Sequence, residues 1–348
     1  MKQNDETTTI SYCLSTSIKK SIQYVSPIMR PITDSNFTDS ITYTFHKPKH
    51  KHEFTCVDHC PIIFQKLRHV NNIDATEYMD SITRQSSLSR ITSPGKSGSV
   101  FYYSYDKKYI IKTLRSIELN KLKGMLRDYY EYITENNNSL LSRFYGLYTL
   151  RITSSSSSMN NVITLDMVVM NNVFPQKIEL PLRFDLKGSS FNRRTIVIDP
   201  NDTTTKLVFK DLDWVDTEQR ISFDDDYTSM VFLCQVYQDV KFLESQKVMD
   251  YSLLVGICNT DQTPTPKKSK NGILPFGSFR KSNRSMFMNG IRGVEKTYYL
   301  GIVDILTPFY LKQRMTYLTL KPWVVEPSAT PPEEYSKRFI NFVTKNLK

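Results

Sequence analysis

VFYYSYDKKYIIKTL, residues 100–114, sets two runs rich in aromatic and β-branched residues on either side of Asp106, Lys107 and Lys108, the pattern of a β-hairpin. Lys112 therefore falls on the second strand. PGKSGS at 94–99 precedes the hairpin with turn chemistry. From Ser116 to Thr134, apolar residues recur at Leu119, Leu122, Met125, Leu126, Tyr129, Tyr130 and Ile133, which predicts an amphipathic helix with Ser116 as its cap. The small residues Gly95, Ser97, Gly98 and Ser99 would let backbone N–H groups approach anionic oxygens, and Lys112 would add a mobile positive charge. The plainer reading is a glycine turn and a surface lysine. A Walker loop is excluded, because Lys112 stands far from the glycines.

Working outward, residues 1–40 are rich in Ser, Thr, Asn and Asp and read as a flexible N-terminal tail. The stretch holding His52, Cys56, His59 and Cys60 reads as helical, followed by helices through Ile62, Ile63, Leu67 and Val70 and around Tyr78 to Ile82. RFYGLYTLRI and VITLDMVVM are expected strands around the serine run 154–158. RFDLKGSS reads as a strand ending at Gly188. A helix is expected from Thr228 to about Gln246, with Met230, Leu233, Cys234, Tyr237, Val240 and Leu243 on its buried face. Residues 259–296, with many Lys and Arg against Asp261 and Glu295, read as an exposed basic insertion. The strand YYLGIVDIL and a last helix from about Pro331 and Pro332 close the chain. The order predicts an α+β fold with antiparallel sheets in two lobes, 41–173 and 174–348, and a cleft between them as the ligand site.

Across the 348 residues, 46 Lys and Arg against 35 Asp and Glu give +11, which points to an anionic partner such as nucleic acid or an acidic membrane. No zinc finger, RNP pattern or basic helix supports nucleic acid. Met167 to Met170 and Leu253 to Cys258 fall far short of the ~20 apolar residues of a spanning helix. With no signal-like start, the expectation is a soluble, cytoplasmic chain with five reduced cysteines. All five histidines lie between His46 and His69, so imidazole chemistry is excluded from residue 70 onward. The Cys56, Cys60, His52 and His59 grouping has no standard zinc spacing.

Three further segments can carry chemistry. In MDYSLL an acidic residue precedes an apolar run, leaving Asp250 at the edge of the core, where a carboxylate could accept a proton from a hydroxyl. In IVDIL, Asp304 lies among apolar strand residues, and a carboxylate there calls for a partner or a cation such as Mg²⁺. In RFDLKGS, Asp185 and Lys187 point to one side of a strand. Taken singly, each has a plainer reading as a cap or salt bridge. Two lysines and two carboxylates together meet the needs of phosphoryl transfer. HRD and DFG are absent, and Val255 stands five residues after Asp250, so an ordinary protein kinase is excluded.

SGSVFYYSYDKKYIIKTL, LLSRFYGLY, FDLKGSS, KDLDW, MDYSLLVGI, YYLGIVDIL and PPEEYSKRF occur in the order seen in phosphatidylinositol phosphate kinases, and the chain resembles that family from about Phe54 to Lys348. The resemblance implies a divergent two-lobed kinase fold, distantly protein-kinase-like, that uses ATP and Mg²⁺ at a membrane surface. It implies Lys112 on the ATP phosphates, Lys187 near the transferred phosphate, Asp250 as catalytic aspartate and Asp304 as Mg²⁺ ligand. Gly95, Ser97, Gly98 and Ser99 would form the phosphate loop, and Met170, Asn171, Asn172 and Val173 the adenine-facing hinge. A helix carboxylate should pair with Lys112, with Glu118 and Glu131 as candidates. MNNVFP, Arg193, Arg194 and DLDW look more like 4-phosphate 5-kinases than 5-phosphate 4-kinases. The loop at about 305–330 selects substrate in the family through a Lys-Lys pair followed by Glu in 5-kinases or Ala in 4-kinases. Here those positions are Gln313, Arg314 and Thr316, so Arg193, Arg194, Lys312, Arg314 and Thr316 are the expected lipid contacts. The implied partners are ATP and a phosphoinositide in an anionic membrane, with a homodimer as a further possibility. A catalytically weak phosphoinositide-binding scaffold is the competing reading.

Overall fold

The computed structural model describes residues 2–25, 31–45, 52–84, 88–91, 99–154, 161–175, 177–196, 207–260, 286–287, 290–309 and 330–348. The chain divides into two compact units, one of residues 1–135 and 143–176, the other of 136–142 and 177–348. The division falls at 176/177 rather than the expected 173/174, and the short segment 136–142 belongs with the second unit.

Among the described residues of the first unit, seven antiparallel strands form one sheet in the order β1-β2-β6-β7-β5-β4-β3. The strands are β1 (Ser40–Phe45), β2 (His52–His59), β3 (Ser89–Ile91), β4 (Phe101–Tyr103), β5 (Tyr109–Leu114), β6 (Phe144–Ser154) and β7 (Asn161–Asn171). The β4/β5 hairpin is the one expected, with Lys112 opposite Phe101. Helices α2 (Pro61–Val70), α3 (Ala75–Thr83) and α4 (Ser116–Glu135) also follow their sequence periods. Ser116, expected as a cap, is already the first helical residue, and the Glu118 carboxylate turns back to the Arg115 N–H at 3.0 Å.

Two expectations in this unit are overturned. The tail is instead α1 (Lys2–Val25), whose Ile10, Cys13, Leu14, Ile18 and Ile22 are buried in one core with Phe54, Cys56, Tyr78, Ile82 and Tyr145. These positions recur every three or four residues, a helical stripe within a Ser/Thr-rich composition. The His52–His59 stretch is a strand, because Phe54, Cys56 and Asp58 alternate inward with the period of β structure. Cys60 Sγ donates to the Phe37 carbonyl at 3.1 Å and His59 Nε2 lies 2.9 Å from Thr149 Oγ1. No group of three potential metal ligands occurs among the described residues.

Among its described residues the second unit holds a four-stranded antiparallel sheet in the order β10-β11-β9-β8, formed by β8 (Leu182–Leu186), β9 (Ser252–Asn259), β10 (Ile291–Arg292) and β11 (Lys296–Val303). Helices α5 (Asp211–Asp216), α6 (Asp226–Ser245) and α7 (Pro332–Asn346) accompany it. Trp214 of α5 is fully buried, edge-on to Phe184 at 4.9 Å, and donates to Asn346 near the end of α7 at 2.9 Å. The expected insertion contributes β10 and a buried Phe287, while 261–285 lies outside the described residues.

The buried face of α6 also differs from expectation. Phe232, Gln235, Val236 and Asp239 turn inward with Val240 and Leu243, while Met230, Cys234 and Tyr237 are exposed. Asp239 is buried because it accepts the Leu140 N–H at 2.7 Å and the Gln235 amide at 3.0 Å, tying segment 136–142 to the helix. Leu140 and Ser142 in turn bracket Ile302 of β11 through the bonds Ile302 N to Leu140 O and Ser142 N to Ile302 O.

Candidate active site

The strand register brings three of the candidate residues to one end of the four-stranded sheet. Leu186 pairs with Leu253 and Ser252 with Val303, so Lys187 after β8, Asp250 before β9 and Asp304 after β11 leave the same edge. The chain around Asp304 continues alongside the approach to β9, with Met249 N–H donating to Thr307 O at 3.0 Å and Phe309 N–H to Lys247 O at 3.1 Å. Lys187 Nζ lies 2.6 Å from Asp250 Oδ1. Asp250 and Asp304 both hold positive φ, +64° and +60°, a conformation Asp tolerates better than most residues and one that turns each side chain out of strand alternation. Asp304 is exposed and Asp250 partly so.

The turn carrying Lys187 is built on Asp211, which sequence reasoning quoted within KDLDW without assigning it a role. Its buried Oδ1 accepts the N–H groups of Lys187 at 2.9 Å and Gly188 at 2.7 Å, with Ser189 more distant at 3.4 Å. Its Oδ2 accepts Arg193 Nε at 2.6 Å. Arg193 also reaches the Asp185 carboxylate at 2.5 Å, and although burial alone would lower its pKa, Asp185 and Asp211 hold it above the ordinary value. Arg193 is therefore an internal tie between β8 and α5, and its expected lipid contact is not supported by this geometry. Arg194 is more than half exposed and pairs with Asp216 at 2.5 Å. Gly188 has φ +68°, and a Cβ on it would stand 2.9 Å from Phe342 Cβ and 3.2 Å from Arg338 O, both on α7.

In the first unit Lys112 is buried on β5, and its Nζ lies 3.2 Å from Glu118 Oε1. Glu118, not Glu131, is the helix carboxylate. Burial would raise its pKa, but Lys112 and the Arg115 N–H and guanidinium hold it below the ordinary carboxylate value. The sequence cue was an acidic residue in the first turn of α4, three after Arg115. In the expected hinge, Asn171 Oδ1 accepts the Arg143 N–H, while Asn172 donates to Lys107 O and accepts from Phe174 N–H. Both side-chain amides are thus engaged by backbone groups, at Arg143, Lys107 and Phe174, and β7 carries Met170 and Asn171 while Val173 follows it. Ser99 is half-buried just before β4. Gly95, Ser97, Gly98, Lys312, Arg314 and Thr316 lie outside the described residues.

The residues present fit a nucleotide and a divalent cation. Mg²⁺ takes one or two carboxylates and completes its shell with phosphate oxygens and water, and Asp304, which leaves the same sheet edge as the Lys187–Asp250 pair, is a carboxylate of the type that could hold it. A buried lysine paired to a helix glutamate is also the arrangement by which protein kinases hold their phosphate-contacting lysine.

The family model described as Phosphatidylinositol-4-phosphate 5-Kinase matches residues 82–346. Phosphatidylinositol 4-phosphate 5-kinase its3 of Schizosaccharomyces pombe is 30% identical, over 100% of this chain and 54% of its own length. Phosphatidylinositol 5-phosphate 4-kinase type-2 alpha of Gallus gallus is 31% identical, over 88% of this chain and 81% of its own. Phosphatidylinositol 4-phosphate 5-kinase 6 of Arabidopsis thaliana is 32% identical, over 86% and 46%. The chain spans about half the length of the yeast and plant relatives. It belongs to the phosphatidylinositol phosphate kinase family.

Proposed function

We propose that the chain transfers the γ-phosphoryl group of ATP to a ring hydroxyl of a phosphatidylinositol monophosphate at a membrane surface, forming phosphatidylinositol 4,5-bisphosphate from the 4-phosphate lipid. The observation that carries this reading is the 2.6 Å Lys187–Asp250 contact at the sheet end that also bears Asp304. The inositol hydroxyl oxygen forms the new P–O bond, its proton passes to Asp250, and the bond from phosphorus to the departing ADP breaks. Lys187 holds Asp250 in place and offers positive charge to the transferred phosphoryl group. Lys112, oriented by Glu118, holds the phosphates of ATP. Asp304 would hold Mg²⁺, which when bound neutralises developing charge on the phosphates.

Supporting the 5-kinase reading are the yeast and plant relatives, both named phosphatidylinositol 4-phosphate 5-kinases, and the MNNVFP and DLDW segments. A second reading, 5-phosphate 4-kinase, is favoured by the Gallus gallus relative, matched over most of its own length, and by Thr316 where a 5-kinase carries Glu. Among the described residues no helix is long and apolar enough to cross a membrane, and a net charge of +11 supports reversible attachment to an anionic surface.

The test is incubation with Mg-ATP and vesicles carrying each monophosphoinositide, with identification of the product isomer and Asp304→Ala as control. The expected result is the 4,5-bisphosphate from the 4-phosphate lipid and none from the control. Product from the 5-phosphate lipid alone would select the second reading, and no product from any lipid would overturn both.

A further inference from the structure

The residues next to the two members of the Lys187–Asp250 pair both rest on α7. Beside Lys187, Gly188 lies against Phe342 and the Arg338 carbonyl so closely that a Cβ has no room. Following Asp250, Tyr251 is fully buried, its ring edge-on to Tyr335 at 4.7 Å and to Phe339 at 5.1 Å. Its carbonyl accepts a hydrogen bond from Tyr335 Oη at 2.5 Å. That carbonyl belongs to the residue joining the positive-φ turn at Asp250 to the first residue of β9. A side chain at positive φ stays there only where its surroundings over-determine it. The α7 helix is itself tied to α6, since Ser336 donates to Glu244, which also pairs with Lys241 at 2.9 Å.

Resting on the phosphoryl-transfer reading, we infer that Tyr335 is a positioning residue, which fixes the Asp250 carboxylate against Lys187 by anchoring the carbonyl of Tyr251. The hydroxyl is suited to the task at every working pH. Burial, and then the charge of Asp250, push its pKa well above the usual phenol value, so it remains a donor. It touches neither substrate nor the reacting atoms. Its effect belongs in kcat, because a displaced base alters the transition state and leaves ground-state binding by other residues intact.

Tyr335→Phe tests this with one hydrogen bond removed and both rings kept. Expected are a roughly tenfold fall in kcat on 4-phosphate vesicles, KM values for ATP and lipid within about twofold of wild type, and only the small drop in Tm that loss of one buried hydrogen bond brings. Hydrogen exchange followed by mass spectrometry should accelerate locally at 249–253 and nowhere else. Tyr335→Leu, which also loses the ring packing, should lower Tm further and so marks what a merely structural defect looks like. Unaltered kcat in Tyr335→Phe overturns the inference, and so does a fall in kcat that comes with a Tm as low as that of Tyr335→Leu and exchange raised throughout the second unit. A wild-type chain inactive on every lipid removes the activity and the role with it. An active wild type beside an equally active Tyr335→Phe removes the role alone.

Discussion

Glu118 shows how one side chain can serve a strand and a helix together. Its Oε1 holds buried Lys112, and its Oε2 takes the Arg115 N–H and guanidinium at the start of α4. Glu118→Gln takes the negative charge from beside buried Lys112 and loosens its tie to Arg115, which should destabilise the chain and lower kcat/KM for ATP about tenfold or more. Denaturation and steady-state kinetics on the same preparation measure both. Asp58 and His59 form a second, purely structural pair of neighbours. Burial pushes Asp58 up to about 7, against a hydrogen bond from Ser21 and the charge of Arg68. His59 is lowered to about 4, chiefly by burial and then by Lys123. From pH 4 to 7 folded Asp58 keeps a proton that the unfolded chain releases, so its contribution to stability declines as pH rises. The His59 contribution has the opposite sign, full above the ordinary value of 6.5 and lost as pH falls toward 4. Asp58→Asn should therefore gain on wild type by up to roughly 4 kcal/mol as pH rises from 4 to 7, with no further gain above. Unfolding midpoints across that range are the measurement, and a difference that is flat with pH would refute the buried acid.

The turn after β8 is the element on which the site depends most. Asp211 satisfies successive N–H groups, and Gly188 allows both a positive φ and direct contact with α7. Gly188→Ala must find room for a Cβ where Phe342 stands and must strain φ, so kcat should fall at least tenfold with a measurable drop in Tm. The hairpin bearing Lys112, the strand ahead of Gly188 and the aspartates flanking β9 and β11 were legible in the sequence because alternation and turn residues mark them. The face of α6 was not, since periodicity places Gln235 and Asp239 outside, whereas they turn inward to hold Leu140, a contact distant in sequence. Arg193 was expected as a lipid contact from the family resemblance, while its partners Asp185 and Asp211 meet it only in the folded turn. Asp211 itself looked like any acidic residue at the start of a short helix. Its role depends on three N–H groups arriving from a turn more than twenty residues earlier.

The two units depend on segments that composition alone undervalued. Ile10, Leu14, Ile18 and Ile22 bury one face of α1 in the core of the first unit, and at about 2 kcal/mol each they contribute roughly 8 kcal/mol, close to the net stability of a typical domain. A chain lacking residues 1–25 should aggregate or lose its cooperative thermal transition, which differential scanning calorimetry would show. Within the second unit, β8, β9 and β11 bring Lys187, Asp250 and Asp304 to one edge, the proposed site of chemistry. The most direct measurement is the initial rate of phosphate transfer from Mg-ATP to vesicles carrying the 4-phosphate lipid, by wild type, Lys187→Ala, Asp250→Asn, Asp304→Ala and the double variant Asp250→Asn with Asp304→Ala. Each single variant should lose about a hundredfold or more, and the double variant should be little worse than either parent, because groups that act as one unit are not additive. An Asp250→Asn or Asp304→Ala protein within about twofold of wild type would contradict the assignment of that edge as the site of chemistry.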